Sequence, residues 1–171
     1  HHYLISVKKR MQIGFIVETA EAREVVHFAL LLGYGASVIN PYMAFAVLDD
    51  MCKKGEIPLD YKTARQNYIK AIDNGLLKIM SKMGISTLRS YHGSQIFEAI
   101  GLSNEIVEKY FNGTPSNIGG IGLEEIAEEA SIPHREAFSK RPVKDLYPKT
   151  VGIYHWRKDG EFHGWNPETI A

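Results

Sequence analysis

The sequence predicts an α/β fold, with parallel strands joined by crossover helices in an open layer or partial barrel and an extended C-terminal tail. Three observations carry that prediction. Short β-branched and aromatic runs alternate with longer stretches of helical periodicity. Capping and helix-stopping residues sit at most of the joints between them. Periodicity then fades after Ser131, where Pro, Lys and aromatic content rises.

Each element can be justified in order. Residues 12–17 (QIGFIV) read as a strand buried on both faces. A helix follows, with Thr19 as its cap and Glu18 and Glu21 at its positive end. Ala22, Val25, Val26, Ala29 and Leu32 form its stripe before Gly33 and Gly35 stop it. Ser37, Val38 and Ile39 form a second brief strand. Asn40 and Pro41 then open a helix whose inner face is Ala44, Val47, Leu48 and Met51. Residues 53–60 are a polar connection ending in Asp60, the expected cap of a long helical stretch to Met83. Asp73, Asn74 and Gly75 interrupt that stretch, so two helices or a kink are both open. Gly84 ends it, and residues 85–88 form a third strand candidate. A short helix is expected from Ser94 to Gly101, a further one capped by Ser103, a loop over 112–122, and a last helix over 123–130. Residues 1–130 thus read as an α/β segment and 131–171 as a linker or extended tail that packs on something else.

Composition removes several function classes. The 171 residues carry 20 basic and 20 acidic side chains, a formal charge of zero, which disfavours a polyanionic partner such as nucleic acid. With 44% hydrophobic and 23% charged residues the chain has the composition of a folding domain, not of a disordered one. Cys52 is the single cysteine, so an internal disulfide and any multi-thiolate metal or iron–sulfur site are excluded. The sequence shows no apolar run long enough to cross a membrane and no adequate signal-peptide core, and it is expected to be soluble and cytoplasmic. The chain starts at His1 and its first methionine is Met11. Either His1 and His2 remain from a purification tag or the sequence was cut from a longer protein.

Candidate chemistry is sparse. Gly33 and Gly35 follow a helix, which suits a C-cap and is the wrong order for a dinucleotide fingerprint. Gly119, Gly120 and Gly122 precede a helix but follow no evident strand, and Glu124 and Glu125 would repel a phosphate. The better anion-binding candidate is the expected strand-to-helix turn of Arg89, Gly93 and Ser94, although Gly and Ser also serve such a turn for backbone reasons alone. The histidines lack ligand spacing, and His27 reads as a hydrogen-bonded residue near the core. Cys52 stands beside Lys53 and Lys54, but no spacing brings a histidine base to it. Lys78 and Lys82 form a cationic edge to a buried stripe, as a solvated helix surface would.

One stretch is too particular to be generic. Residues 75–88 (GLLKIMSKMGISTL), running into Ser90-Tyr91 and residues 95–102 (QIFEAIGL), resemble the glutamate synthase large chain. The resemblance extends upstream through Val17-Glu18, Glu21 to Val25, Leu32 to Ala36 and Ile39 to Tyr42. Downstream it continues through Gly119 to Leu123, Ile126 to Ala130, Trp156 to Glu161 and Asn166 to Thr169. It implies the later part of a central domain on the approach to a flavin barrel. It also implies a parent reaction in which ammonia from glutamine crosses a tunnel to 2-oxoglutarate, and flavin reduces the iminoglutarate to glutamate. FMN and an iron–sulfur cluster are implied for the parent, with no catalytic, cofactor-binding or metal residue in this segment. Neighbouring glutaminase and FMN domains are the implied partners, and self-association through exposed interdomain faces is expected of the segment alone. Ala46 stands where the family often has a glutamate, and His92 where another residue is common. The first expectation is therefore a non-catalytic scaffold segment. The alternatives are a small-anion module at residues 89–94 and a stand-alone interaction protein.

Overall fold

In a computed structural model, residues 1–94, 96–138, 156–158, 160 and 162–170 are described. The chain divides into two units, His1–Gly122 and Leu123–Ala171. Mixed α/β architecture with parallel pairing is present, as the alternation of strands and helices predicts.

The first unit opens with a short helix, α1 (His2–Ser6), and a single 3-10 turn at Arg10–Gln12. The run read as a strand over 12–17 pairs only from Ile16 onward, as β1 (Ile16–Glu18). Arg10 accounts for the difference. Its guanidinium donates to the carbonyls of Ile13 (2.7 Å) and Gly35 (2.8 Å) and lies over the Phe15 ring, 4.6 Å from its centre. Ile13 keeps extended backbone (φ −133, ψ 130), with its carbonyl committed to Arg10 rather than to a strand partner.

Helix α2 (Val25–Gly33) begins later than Thr19 predicts, because Glu24 and His27 form a reciprocal capping box. The Thr19 hydroxyl instead accepts from the Glu21 amide, 3.1 Å away, in a local turn. Gly35, at φ +97, turns the chain out of α2 as expected. β2 (Val38–Asn40) follows and pairs parallel with β1, Ile16 opposite Val38 and Glu18 opposite Asn40. Helix α3 (Tyr42–Lys53) has Pro41, not the expected Asn40, at its N-cap position and so starts without a side-chain cap, while the Asn40 amide donates across the strands to Glu18 (3.0 Å).

Helix α4 (Tyr61–Met83) is continuous through Asp73, Asn74 and Gly75, which therefore do not break it. Asp60 caps it as predicted, accepting from the Thr63 amide at 3.0 Å, and Gly84 ends it at φ 70. Gly75 marks a close approach. A Cβ placed there would lie 2.5 Å from a methyl of Val25 on α2.

The next stretch departs most from expectation. Residues 85–88 are not a strand, because Thr87 accepts from the Ser90 amide and caps a one-turn helix, α5 (Leu88–Tyr91). The helix expected from Ser94 does not form: residue 94 and residues 96–99 are not helical, and they precede β3 (Ile100–Leu102). Helix α6 (Asn104–Tyr110), capped by Ser103 as expected, then crosses to β4 (Ile118–Ile121), which lies within the predicted loop and pairs parallel with β3. The sequence Ile-Gly-Gly-Ile could have signalled that strand, since glycine within a strand marks close backbone approach. A Cβ at Gly120 would meet the Gly101 carbonyl oxygen at 2.2 Å.

The core of this unit lies between α2 and α4. Ala29 and Leu32 meet Met80 and Tyr91, while Ala22 and Phe28 meet Ile72, with Ile39 and Leu76 packed against both groups. Full burial of each large apolar side chain contributes about 1.5–3 kcal/mol. β1 is not buried on both faces, since Ile16 is 76% exposed.

The second unit contains α7 (Leu123–Ala137), which runs past the expected end at Ala130 and includes Pro133, and α8 (Pro167–Ile170). Asn166 caps α8 by accepting from the amides of Glu168 (2.9 Å) and Thr169 (3.1 Å). Residues 139–155 of the expected tail lie outside the described residues.

Candidate functional site

The turn proposed for anions is built differently from the sequence expectation. Arg89 is exposed on α5, and the chain turns out of α5 at Gly93 (φ 70). No strand precedes it and no helix follows it, so no helix N-terminus aims its N–H groups at a ligand there. The Ser94 amide is taken by the Tyr91 carbonyl at 3.1 Å. The hydroxyls of Tyr91 and Ser94 and Nε2 of His92 are buried without a hydrogen-bond partner. Three such atoms fall within four residues, so this corner holds polar groups that have left water without a replacement partner. Burial also pushes the Tyr91 hydroxyl above its ordinary pKa of 10.0.

A cleft of about 390 Å³ lies where β2 ends, among α2, α3 and α4. Phe28, Ile39, Phe45, Tyr68 and Leu76 give it apolar walls. Arg65 rests over the Phe45 ring, 4.6 Å from its centre, and the Tyr68 hydroxyl donates to the Arg23 carbonyl at 2.9 Å. Desolvation raises the Tyr68 pKa from its usual 10.0. The cleft can seat an apolar group, and its lining contains no nucleophile with an adjacent base.

The remaining candidates take structural places. His27 Nδ1 accepts from the amides of Arg23 and Glu24, each at 3.2 Å, which is the hydrogen-bonded role expected of it. Cys52 is half-buried near the end of α3, while Lys53 and Lys54 reach back to Asp49 and Asp50, each at 2.6 Å. The lysine charges are thus directed to carboxylates one turn earlier. Lys78 and Lys82 are exposed on α4. Among the described residues no group of three or more His, Cys, Asp or Glu is placed to hold a metal. Gly119 and Gly120 lie in the β3–β4 strand pair, where Gly120 closes on the Gly101 carbonyl. A single cysteine is too few to ligate an iron–sulfur cluster. No described helix is long and apolar enough to cross a membrane.

Sequence comparison supplies what the site geometry leaves open. The chain is 48% identical over 170 residues to the glutamate synthase [NADPH] large chain of Bacillus subtilis, covering 99% of this chain and 11% of that relative. It is 44% identical over 181 residues to the glutamate synthase [NADH] of Saccharomyces cerevisiae, covering 100% of this chain and 8% of the relative. A ferredoxin-dependent glutamate synthase of Pyropia yezoensis is 44% identical over 178 residues, with 98% and 11% covered. The chain thus spans about a tenth of the length of these curated relatives. With residues 1–103 matching the family model of the glutamate synthase central domain and relatives 44–48% identical over nearly its whole length, this chain belongs to the glutamate synthase family.

Proposed function

We propose that this chain serves as a non-catalytic scaffold segment of a glutamate synthase, holding an ammonia-producing glutaminase and an ammonia-consuming flavin site at a fixed separation. The parent reaction in this reading converts glutamine, 2-oxoglutarate and a reductant to two glutamates in the cytoplasm. FMN and the iron–sulfur cluster belong to the flanking parts of the parent chain. Residues 131–171 form the connection toward the flavin domain, and part of the body walls the ammonia path. The observation that carries the reading is the alignment of 98–100% of this chain with large chains of which it makes up only 8–11%. The relatives' names differ in reductant, NADPH, NADH or ferredoxin, which fits a segment remote from the donor site.

The glycine contact between α2 and α4 provides the test. In a full-length chain, Gly75→Ala should lower glutamine-dependent glutamate formation and let ammonia escape to solvent, while glutaminase turnover and bound flavin stay unchanged. Stoichiometric FMN binding or glutamine turnover by the isolated 171 residues would overturn the reading.

A second reading rests on the buried, unpartnered Tyr91, His92 and Ser94 atoms. In it, the corner with Arg89, Gly93 and Ser94 takes a small anion such as phosphate or a carboxylate. Any phosphate-induced rise in melting temperature should then be lost in Arg89→Ala, and its persistence would refute that role.

A further inference from the structure

The outer face of the β1–β2 pair is apolar and bare. Ile16 and Val38 stand opposite each other in register and are 76% and 52% exposed. Ile39, the next residue along β2, packs into the core between α2 and α4. Successive side chains alternate between faces, so Ile16 and Val38 point away from that core. Glu18 and Asn40 lie further along the same face, and the Asn40 amide donates to the Glu18 carboxylate at 3.0 Å, so the one charge there is partnered within the pair.

Such a face is not built for water. Parallel sheets normally carry cover on both faces, whereas Ile16 and Val38 stay exposed here. Among the described residues each strand has three residues and one strand neighbour, too little to stand as a sheet of its own. Free sheet edges are normally blunted by lysine, proline or a bulge, and neither Ile16–Glu18 nor Val38–Asn40 contains lysine or proline.

We propose that the Ile16–Val38 face is the docking surface for an apolar helix of the same parent polypeptide, contributed from outside residues 1–171 as the second helical layer of this sheet. The inference rests on the scaffold reading above and identifies the surface through which the scaffold is held. Three observations select this occupant. The chain makes up 8–11% of relatives that align with nearly all of it, so most of the polypeptide lies outside these residues. The face falls within residues 1–103, the part matched by the family. Its apolar pair, bounded by a self-satisfied polar pair, suits an uncharged partner surface. A covalently linked partner also acts at an effective concentration near the millimolar range, well above that of a second copy free in solution.

The test uses the full-length glutamate synthase chain carrying this sequence, with the photo-crosslinker p-benzoylphenylalanine at position 16 or, separately, at position 38. Irradiation, digestion and mass spectrometry should find intrachain cross-links to a peptide outside residues 1–171, with a yield unaffected by dilution. Cross-links to a second copy that fade on dilution would overturn the proposal. So would cross-links to residues 123–171 of this chain, or reaction with solvent alone. A bulky probe can displace its neighbour, so Ile16→Cys is also labelled with maleimide in the native full-length chain, read peptide by peptide against Met11→Cys. Met11 is 90% exposed. Labelling at position 16 should be slower by about tenfold or more, as for a site opened only by local unfolding, and equal rates would overturn the proposal. The ammonia-escape experiment addresses the scaffold reading separately, so either idea can fail without the other.

Discussion

Gly75 carries a disproportionate share of the helix packing. In an exposed helix interior, replacing glycine by alanine gains about 1 kcal/mol in helix propensity. Here the added carbon would stand 2.5 and 2.6 Å from the two methyls of Val25, whose β-branched side chain has little rotamer freedom to yield. Overpacking wins, and Gly75→Ala is expected to lose about 1–3 kcal/mol in urea unfolding. His27 acts through the backbone instead. Its ring nitrogen receives the amides of Arg23 and Glu24, so His27→Ala should cost about 1 kcal/mol by the same measurement, as loss of a helix cap does.

Asp60 makes stability depend on pH. Hydrogen bonds from the Thr63 side chain and amide hold its pKa below the ordinary 3.8. A folded pKa below the unfolded one means that the stabilisation is present in full above the unfolded value. It is lost as pH falls through the folded value. The melting temperature of Asp60→Ala should therefore lie below that of the parent sequence near neutral pH, with the gap closing under strong acid. A gap independent of pH would contradict this assignment.

Among elements, the β3–β4 pair depends on two glycines. Gly101 adopts φ +78 within its strand, and Gly120 has no room for a Cβ beside the Gly101 carbonyl. Gly120→Ala should force the strands apart and speed hydrogen exchange across Ile118–Ile121, while the amides in the middle of α4 keep their protection. The two parallel pairs share one construction, with α2 crossing between β1 and β2 and α6 between β3 and β4. Their strands nevertheless differ in how readily the sequence reveals them. Val38 and Ile39 were recognisable because a glycine turn precedes them and a proline follows. Ile100 to Leu102 were not, since Ile96, Phe97, Ala99 and Ile100 also fit helical spacing.

At the largest scale, the buried core of the first unit lies between α2 and α4. Leu32 and Met80 are buried between α2 and α4, and truncating either to alanine should cost about 2–5 kcal/mol. Large apolar side chains remain exposed elsewhere, among them Ile16, Val38, Ile100 and Ile118. The isolated chain is therefore expected to self-associate as its concentration rises, with Ile16→Ser and Val38→Ser together weakening the association in sedimentation velocity. A parent polypeptide that covers the β1–β2 face would remove that tendency.

The candidate site was less legible than the fold. The pattern of Arg89, Gly93 and Ser94 marks a turn, but a one-turn helix enters it where local pattern favours a strand. Thr87 reaches only three residues to cap α5, whereas Ile100 needs Ile118, eighteen residues away, to become a strand. That contrast recurs along the chain. The caps Asp60 and Ser103, the stops Gly35 and Gly84, and the family resemblance could all be read directly, because they depend on neighbours within a turn or on residue identity alone. Tertiary packing decided that α4 runs unbroken through Gly75, that Ile118 to Ile121 form a strand, and that the outer face of β1 stays bare. Each outcome is set by contacts between segments far apart in sequence, and local propensity contains no record of them.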